Sequence, residues 1–318
     1  MKIIIKNFIK NFCIIFDLLI FPFCLLAAMI FKIYRNLGVS NLNLTTRSLR
    51  WLGIFPIRNH YYEPQFIHNS VNFNKKKNIK INLDITNKLI KKFKFSHELE
   101  QMDLEKKKSK YGFFINNSFF ERGDFEFLYQ FIRHSNPKKI IEIGSGYSSI
   151  IAYEAITKNF QTTKNLCKMI CIDPGNINQL KTLKKINFYR KKIEKVDINI
   201  FKKLNKNDLL IIDTTHVIKP GGDVLKIYNE IMPILKKGVN IMIHDIYLPY
   251  EYPIDLLNKH VLFWNEQYLL ENLLNNKKYK ILSPLYYLMK NNYQQLKKVC
   301  AYLKFSSRPS SFYIKKIQ

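Results

Sequence analysis

The stretch that most constrains this chain is Ile140-Ile141-Glu142-Ile143-Gly144-Ser145-Gly146-Tyr147-Ser148-Ser149. An apolar run ends beside an acid, two glycines follow one residue apart, and a helical pattern begins at Ile150. Such a run is a buried strand feeding a tight turn and a helix. Glycines in that turn let backbone approach a ligand where a side chain would collide. The acid at the strand end is placed to accept hydrogen bonds from hydroxyls or an amine. Seven of the ten glycines lie between 123 and 238, so the unusual backbone is concentrated around this turn.

The surrounding sequence alternates. Asp124 is placed to cap a helix carrying Phe125, Leu128, Tyr129 and Ile132, which Asn136-Pro137 ends. Strands are expected at Lys139–Ile143, Met169–Ile172, near 186–193, at Asp208–Ile212 and at Val239–Ile243. Helices are expected at 147–158, Ile177–Leu183 and Val224–Leu235, the last capped by Asp223. Near-continuous apolar strands alternating with helices form a parallel sheet covered on both faces. Ligands of such sheets bind beyond the carboxyl ends of the strands, at the topological switch point. Glu142, Asp173, Asp213, His244 and Asp245 all fall at those ends.

The order acid-x-Gly-x-Gly on one strand, with Asp173 closing the next, resembles a class I S-adenosylmethionine-dependent methyltransferase. The resemblance extends through Leu209-Leu210-Ile211-Ile212-Asp213-Thr214-Thr215-His216, Asp223, Leu235-Lys236-Lys237-Gly238 and His244-Asp245. Those segments are similar to a branch that modifies sugars and natural products by O-methylation. It implies a Rossmann-like, mostly parallel sheet of about seven strands over 111–318. Tyr279–Leu288 and Ser311–Ile317 would close it as an antiparallel hairpin, and a helix would begin at Trp264–Tyr268. It implies S-adenosylmethionine as cofactor, held by Glu142, Gly144, Ser145, Gly146, Asp173 and Asp213, with Asp173 on the ribose. A hydroxyl nucleophile needs a base or a metal. His244 and His216 are the base candidates, with Asp213 beside them. Asp213 and Asp245 end neighbouring strands and are the candidate ligands of a magnesium ion, as in some relatives. His244 stands where several relatives carry an acidic or other residue. The bland readings are that Asp213 and Asp245 only cap the next helix or turn and that His216 only orders a loop. His60, His68, His97, His134 and His260 have no partner pattern.

The formal charge of +28 comes almost wholly from lysine. Arginine, preferred for bidentate phosphate and base contacts, is scarce, and Asp213 lacks the Pro-Pro-aromatic sequel of amino-group methylation in nucleic acids. Nucleic acid is therefore not the expected partner. The expected acceptor is a saccharide or other small molecule. Five cysteines without Cys-x-x-Cys argue against a disulfide framework or a thiolate zinc site.

Phe12–Phe31 is a twenty-residue run with one charge, Asp17, and can just cross the hydrocarbon core. It lacks a small-residue cleavage site after its apolar part. Asp17 and Pro22 make a kinked or re-entrant segment a rival to a full span, and a buried soluble helix is a third reading. The chain divides into three segments: a membrane-anchoring helix over 1–35, an aromatic loop and Lys/Asn-rich helical linker over 36–110, and a methyltransferase-like domain over 111–318. The loop 51–68 reads as packed on the next domain, 84–101 as helical, and Lys106-Lys107-Lys108 as a solvated face. Two functions are compatible with this organisation. One is a membrane-associated O-methyltransferase acting on a saccharide or lipid-linked glycan, its catalytic domain facing the cytoplasm where the cofactor is made. The other is a membrane-anchored scaffold that keeps the fold without turnover.

Overall fold

The computed structural model describes residues 2–57, 76–102, 104–105, 112–175, 180, 183, 186–258, 260 and 262–318, with the side chains of 2–11 and 257–258 left aside. The chain divides into two compact units, Met1–Val71 and Asn72–Gln318.

The first unit is dominated by one helix, α1 (Lys2–Leu37), which runs without a break through Pro22. Pro22 therefore does not end the helix. Proline removes one donor and crowds one carbonyl, and the surrounding run of strong apolar helix formers carries the helix past it. At 1.5 Å per residue α1 is about 54 Å long, and Phe12–Leu37 is long and apolar enough to cross a membrane. Its apolar window is not buried. After a turn at Gly38, a short helix α2 (Asn43–Trp51) begins. The Tyr34 hydroxyl and Thr46 Oγ1 lie 2.8 Å apart, and Leu49 is buried.

The second unit begins earlier than the expected boundary at 111. Helices α3 (Leu83–Ile90) and α4 (Ser96–Glu100) bury Ile90, Phe93, Leu99, Met102 and Leu104 in the same core as α5 (Asp124–Ser135). Glu98 fixes this addition, since Arg133 donates to it from Nε and from a terminal nitrogen at 2.8 Å each. The expected linker 36–110 is thus divided between the units. His60, His68, Lys106–Lys108, part of the aromatic loop and most of the helix expected at Ile177–Leu183 lie outside the described residues.

Among the described residues seven strands form the sheet: β1 (Lys139–Ile143), β2 (Lys168–Ile172), β3 (Ile186–Tyr189), β4 (Leu209–Ile212), β5 (Asn240–Ile243), β6 (Tyr279–Pro284) and β7 (Phe312–Lys316). Their order is β3-β2-β1-β4-β5-β7-β6. The first five are parallel and β7 runs antiparallel to both β5 and β6. The chain winds outward from β1 to β3, returns, and winds the other way through β4 and β5. The switch point therefore lies between β1 and β4. The pleat sends Ile141 and Ile143 into one apolar layer, with β4 and β5. Ile140 faces the other, with α5 and α6 (Tyr147–Thr163).

The sixth strand ends at Pro284 rather than Leu288. Strands β6 and β7 close the sheet as the expected antiparallel pair, with two helices, α11 (Leu285–Asn291) and α12 (Tyr293–Lys297), in their connection. Helix α7 (Asp223–Lys226) continues through a π-helical turn at Ile227–Ile231 into α8 (Met232–Ile234). A short helix α9 (Ile254–Asn258) and α10 (Glu266–Asn275) come after β5. The five cysteines are free.

At the start of α5, Asp124 does not cap its own helix. Its carboxylate accepts from the Ser310 and Ser311 amides at 3.1 and 2.7 Å, and Glu126 takes the Gly123 amide at 3.0 Å. Burial pushes the Glu126 carboxyl up to about 7 from an ordinary 4.5. Between these values the unfolded chain loses its proton while the folded chain keeps it, so stability falls as pH rises through that window. The shift corresponds to about 3 kcal/mol. Urea titrations across this window are expected to show Glu126→Gln losing much of that decline; an unchanged slope would remove Glu126 as its source.

Candidate functional site

The switch point is closed by backbone. The Gly144 amide donates to Ile172 O and the Asp213 amide to Ile143 O, both at 2.9 Å. Gly144 has φ +78°, and a Cβ there would lie 1.5 Å from the Asp213 carbonyl oxygen. Only glycine allows this approach. Gly146 differs: its φ of −177° is ordinary extended backbone, and a Cβ would meet nothing within 4 Å. Open space above the second glycine is the room a ligand would take.

Glu142 does not open onto this space. It is 0% exposed. It shares the face of Ile140, so it points toward α6, where the Ser148 hydroxyl donates to it at 2.7 Å. Ser149 donates to its other oxygen, as does the Cys171 thiol at 3.3 Å. Burial, opposed by these donors, lifts its carboxyl to about 7. The structure thus gives Glu142 to the first turn of α6, because the pleat places it one residue off the rim. Asp173 does reach the turn: the Ser145 amide donates to Oδ2 at 3.0 Å and the Gly175 amide to Oδ1 at 2.6 Å. The Ser145 hydroxyl is buried without a partner.

Two cavities flank the switch point. The smaller, about 270 Å³, is lined by Phe119, Phe120, Ser145, Gly146, Tyr147, Ser148, Ile150 and Asp213. The larger, about 780 Å³, takes in Asp213, His244, Asp245, Tyr247, Trp264 and Arg308. Phe119 and Asp213 belong to both.

Around Asp213 the structure collects the other strand-end residues. His244 Nδ1 lies 3.5 Å from Asp213 Oδ1 and 3.5 Å from Asp245 Oδ2, yet makes no hydrogen bond. Its ring packs on Phe120, and its Nε2 lies 3.4 Å from Ser310 Oγ and 3.8 Å from Asp124 Oδ2. His216 Nε2 lies 3.3 Å from Asp213 Oδ1 and 3.6 Å from Asp245 Oδ2. Its Nδ1 lies 2.8 Å from Glu266 Oε2 at the start of α10, and its ring rests on Trp264. His216 lines neither cavity, so it stands behind the carboxylates while His244 faces the larger space. Burial disfavours charge throughout. Even so, His244 and His216 hold the Asp213 carboxyl far below the usual range, and Asp245 and Asp213 push the His244 imidazole well up. His216 is likewise lifted, to about 10, by Asp213 and Glu266 against its burial. His216 (φ +58°) and Asp245 (φ +54°) both hold left-handed backbone, a strain that persists where surrounding structure fixes it.

Asp213, His216 and Asp245 each bring a ligand atom within 4.8 Å of the others. Two carboxylates and an imidazole braced by Glu266 fit a divalent cation. The nitrogen is the one donor in that set that magnesium does not favour. Asp223 does not cap α7: it accepts from the Thr215 amide and hydroxyl at 2.9 and 2.8 Å, and so holds the loop carrying His216.

Sequence reasoning missed Glu266, Asp124, Ser310 and the Phe119–Phe120 pair. Asp124 carried a signal, but one that pointed to a cap. The others lie on elements remote in sequence from β4 and β5, with no local pattern to mark them.

Residues 141–246 match the family described as "Methyltransferase domain". This stretch, a third of the chain, is similar to a methyltransferase domain. That match spans the glycine turn, both histidines and the carboxylates between them. Over 101 residues the chain is 34% identical to an uncharacterized protein of Archaeoglobus fulgidus, covering 30% of this chain and 43% of that relative. The chain therefore spans under half the length of the curated relative it matches. Among solved structures, an O-methyltransferase from Bacillus cereus in complex with SAH is 9% identical, over 76% of this chain and 93% of that one, at a TM-score of 0.37. A Klebsiella pneumoniae protein described as an O-methyltransferase is 10% identical, over 74% and 90%, at 0.42.

Replacing Gly144 by alanine is expected to cost at least about 3 kcal/mol, because a left-handed residue would also have to push β4 away. Gly146→Ala should leave stability within about 0.5 kcal/mol. Equal denaturation midpoints for the two variants would contradict this geometry.

Proposed function

We infer that this chain is an S-adenosylmethionine-dependent O-methyltransferase whose acceptor is a hydroxyl of a saccharide or lipid-linked glycan. The observation that carries the reading is the junction at Asp213, where a small cavity over the glycine turn meets a large polar one. Donor and acceptor in adjoining cavities satisfy the main demand of methyl transfer, which is an in-line approach of two bound groups. The smaller cavity fits the cofactor by its open glycine, its Phe119, Phe120 and Tyr147 walls, and the Asp173 carboxylate beside the turn. When bound, S-adenosylmethionine supplies an electrophilic methyl on a sulfonium.

The protein's own part is to place the hydroxyl and take its proton. Tyr247 and Trp264 offer aromatic faces for a sugar ring, while Ser306, Ser307 and Arg308 offer polar contacts. His244 lines the acceptor cavity beside Asp213 and Asp245, so its imidazole is the proton acceptor in this reading. A positive charge brought to the Asp213 cluster disfavours the imidazolium and so readies the ring for that proton. His216 is a positioning residue, holding Asp213 and Asp245 in place through its own bond to Glu266. A divalent cation on Asp213, Asp245 and His216 would lower the hydroxyl pKa. Helix α1 anchors the chain by crossing the membrane, with the methyltransferase domain on the cytoplasmic side, where the cofactor is made.

Calorimetric titration with S-adenosylmethionine and S-adenosylhomocysteine tests the reading directly. Gly146→Val is expected to abolish binding in a folded protein, and Asp173→Ala to weaken it by about 1–3 kcal/mol. His244→Ala should keep binding but lose methyl transfer by about 10²-fold or more. Absence of binding by the unaltered chain would shift the assignment to a scaffold.

A further inference from the structure

The segment just after α1 carries no acid: from Leu18 to Tyr62 the chain has no Asp or Glu, whereas Lys32, Arg35, Arg47, Arg50 and Arg58 are basic. The fold turns part of this segment back on the helix end. Besides the Tyr34–Thr46 contact, Thr46 Oγ1 donates to Val39 O at 2.7 Å. The Arg35 guanidinium lies 4.9 Å from the Phe55 ring centroid. This hook buries Tyr34 and Leu49 but leaves a large apolar surface outside. Trp51 is 86% exposed, Leu44 81%, and Leu52, Ile54, Phe55 and Ile57 are exposed beside them.

Large apolar side chains exposed together on one short segment mark an interaction site. The hook is joined directly to a helix long enough to cross a membrane, and its charge is of one sign. Arginines flanking an aromatic and aliphatic face are the composition of a segment lying in the interface of an anionic leaflet. Tryptophan in particular favours the headgroup level, where its ring is half in hydrocarbon.

We propose that residues 43–57 form a second, interfacial membrane contact that seats Leu44, Trp51, Leu52, Ile54 and Phe55 among the headgroups of an anionic leaflet, with Arg47 and Arg50 on lipid phosphates. This rests on the reading of α1 as a membrane helix. The hook fixes the level at which the chain leaves the bilayer, as a bare helix end does not.

The chain has two tryptophans, Trp51 and Trp264, so Trp264→Phe leaves Trp51 as the sole indole reporter. Full-length protein would be reconstituted in phosphatidylcholine vesicles, with and without phosphatidylserine, carrying a brominated acyl chain as quencher. The expected result is a blue shift of Trp51 emission and loss of most of its intensity with phosphatidylserine, and a smaller loss without it. Arg47→Gln with Arg50→Gln should bring the first value down to the second while the protein still floats with the vesicles. If Trp264→Phe disturbs folding, the difference spectrum between the unaltered chain and Trp51→Phe reads the same signal. Protein that floats while Trp51 stays open to aqueous acrylamide and untouched by the brominated lipid would overturn the interfacial contact and leave the membrane helix standing. Protein that does not float would overturn both.

Discussion

The second unit depends on one close approach. The Gly144 Cα lies so near the Asp213 carbonyl that no side chain fits between them. That approach sets the ends of β1 and β4 side by side at the point where the sheet reverses direction. The rim geometry depends on it. Asp213 is held by its amide to Ile143, and the residue lines both cavities. His244 then enters from β5, and His216 from the loop after β4, toward that carboxylate. A residue with Cβ at 144 would separate the strands and disperse all three.

Much of this arrangement is legible in the sequence, for a physical reason. Strands buried on both faces must be apolar throughout, so a polar residue at a strand end stands out. Asp173, Asp213, His244 and Asp245 stand out on that signal alone, and the structure brings the last three within hydrogen-bonding range of a common centre or close to it. The same signal misplaces Glu142. It stands one residue before the strand end, and the alternation of the pleat turns it inward to Ser148 and Ser149. Helix caps mislead in a similar way. Asp124 and Asp223 each begin a helix, yet both carboxylates reach across to other loops, a choice that depends on tertiary neighbours and not on the local pattern.

The partners that brace the histidines are not legible. Glu266 sits fifty residues beyond His216, at the start of α10, and is fully buried. Nothing near it in the sequence distinguishes it from an ordinary acid in a first helical turn. The continuity of α1 through Pro22 belongs to the same class of outcome. A local breaker competes with a long apolar run, and the run prevails. In the one case the deciding contact is remote in sequence, and in the other it is a sum over many residues; a local motif contains neither.

Phe119 has a place of its own in this geometry. It is 75% exposed, stacks on Tyr147 at the start of α6, and forms part of the wall of both cavities. A wall shared by two compartments ties their occupants together. Any molecule that displaces the ring on one side changes the room left on the other. The affinities of the two compartments are then linked, and thermodynamic reciprocity makes the factor the same whichever side fills first.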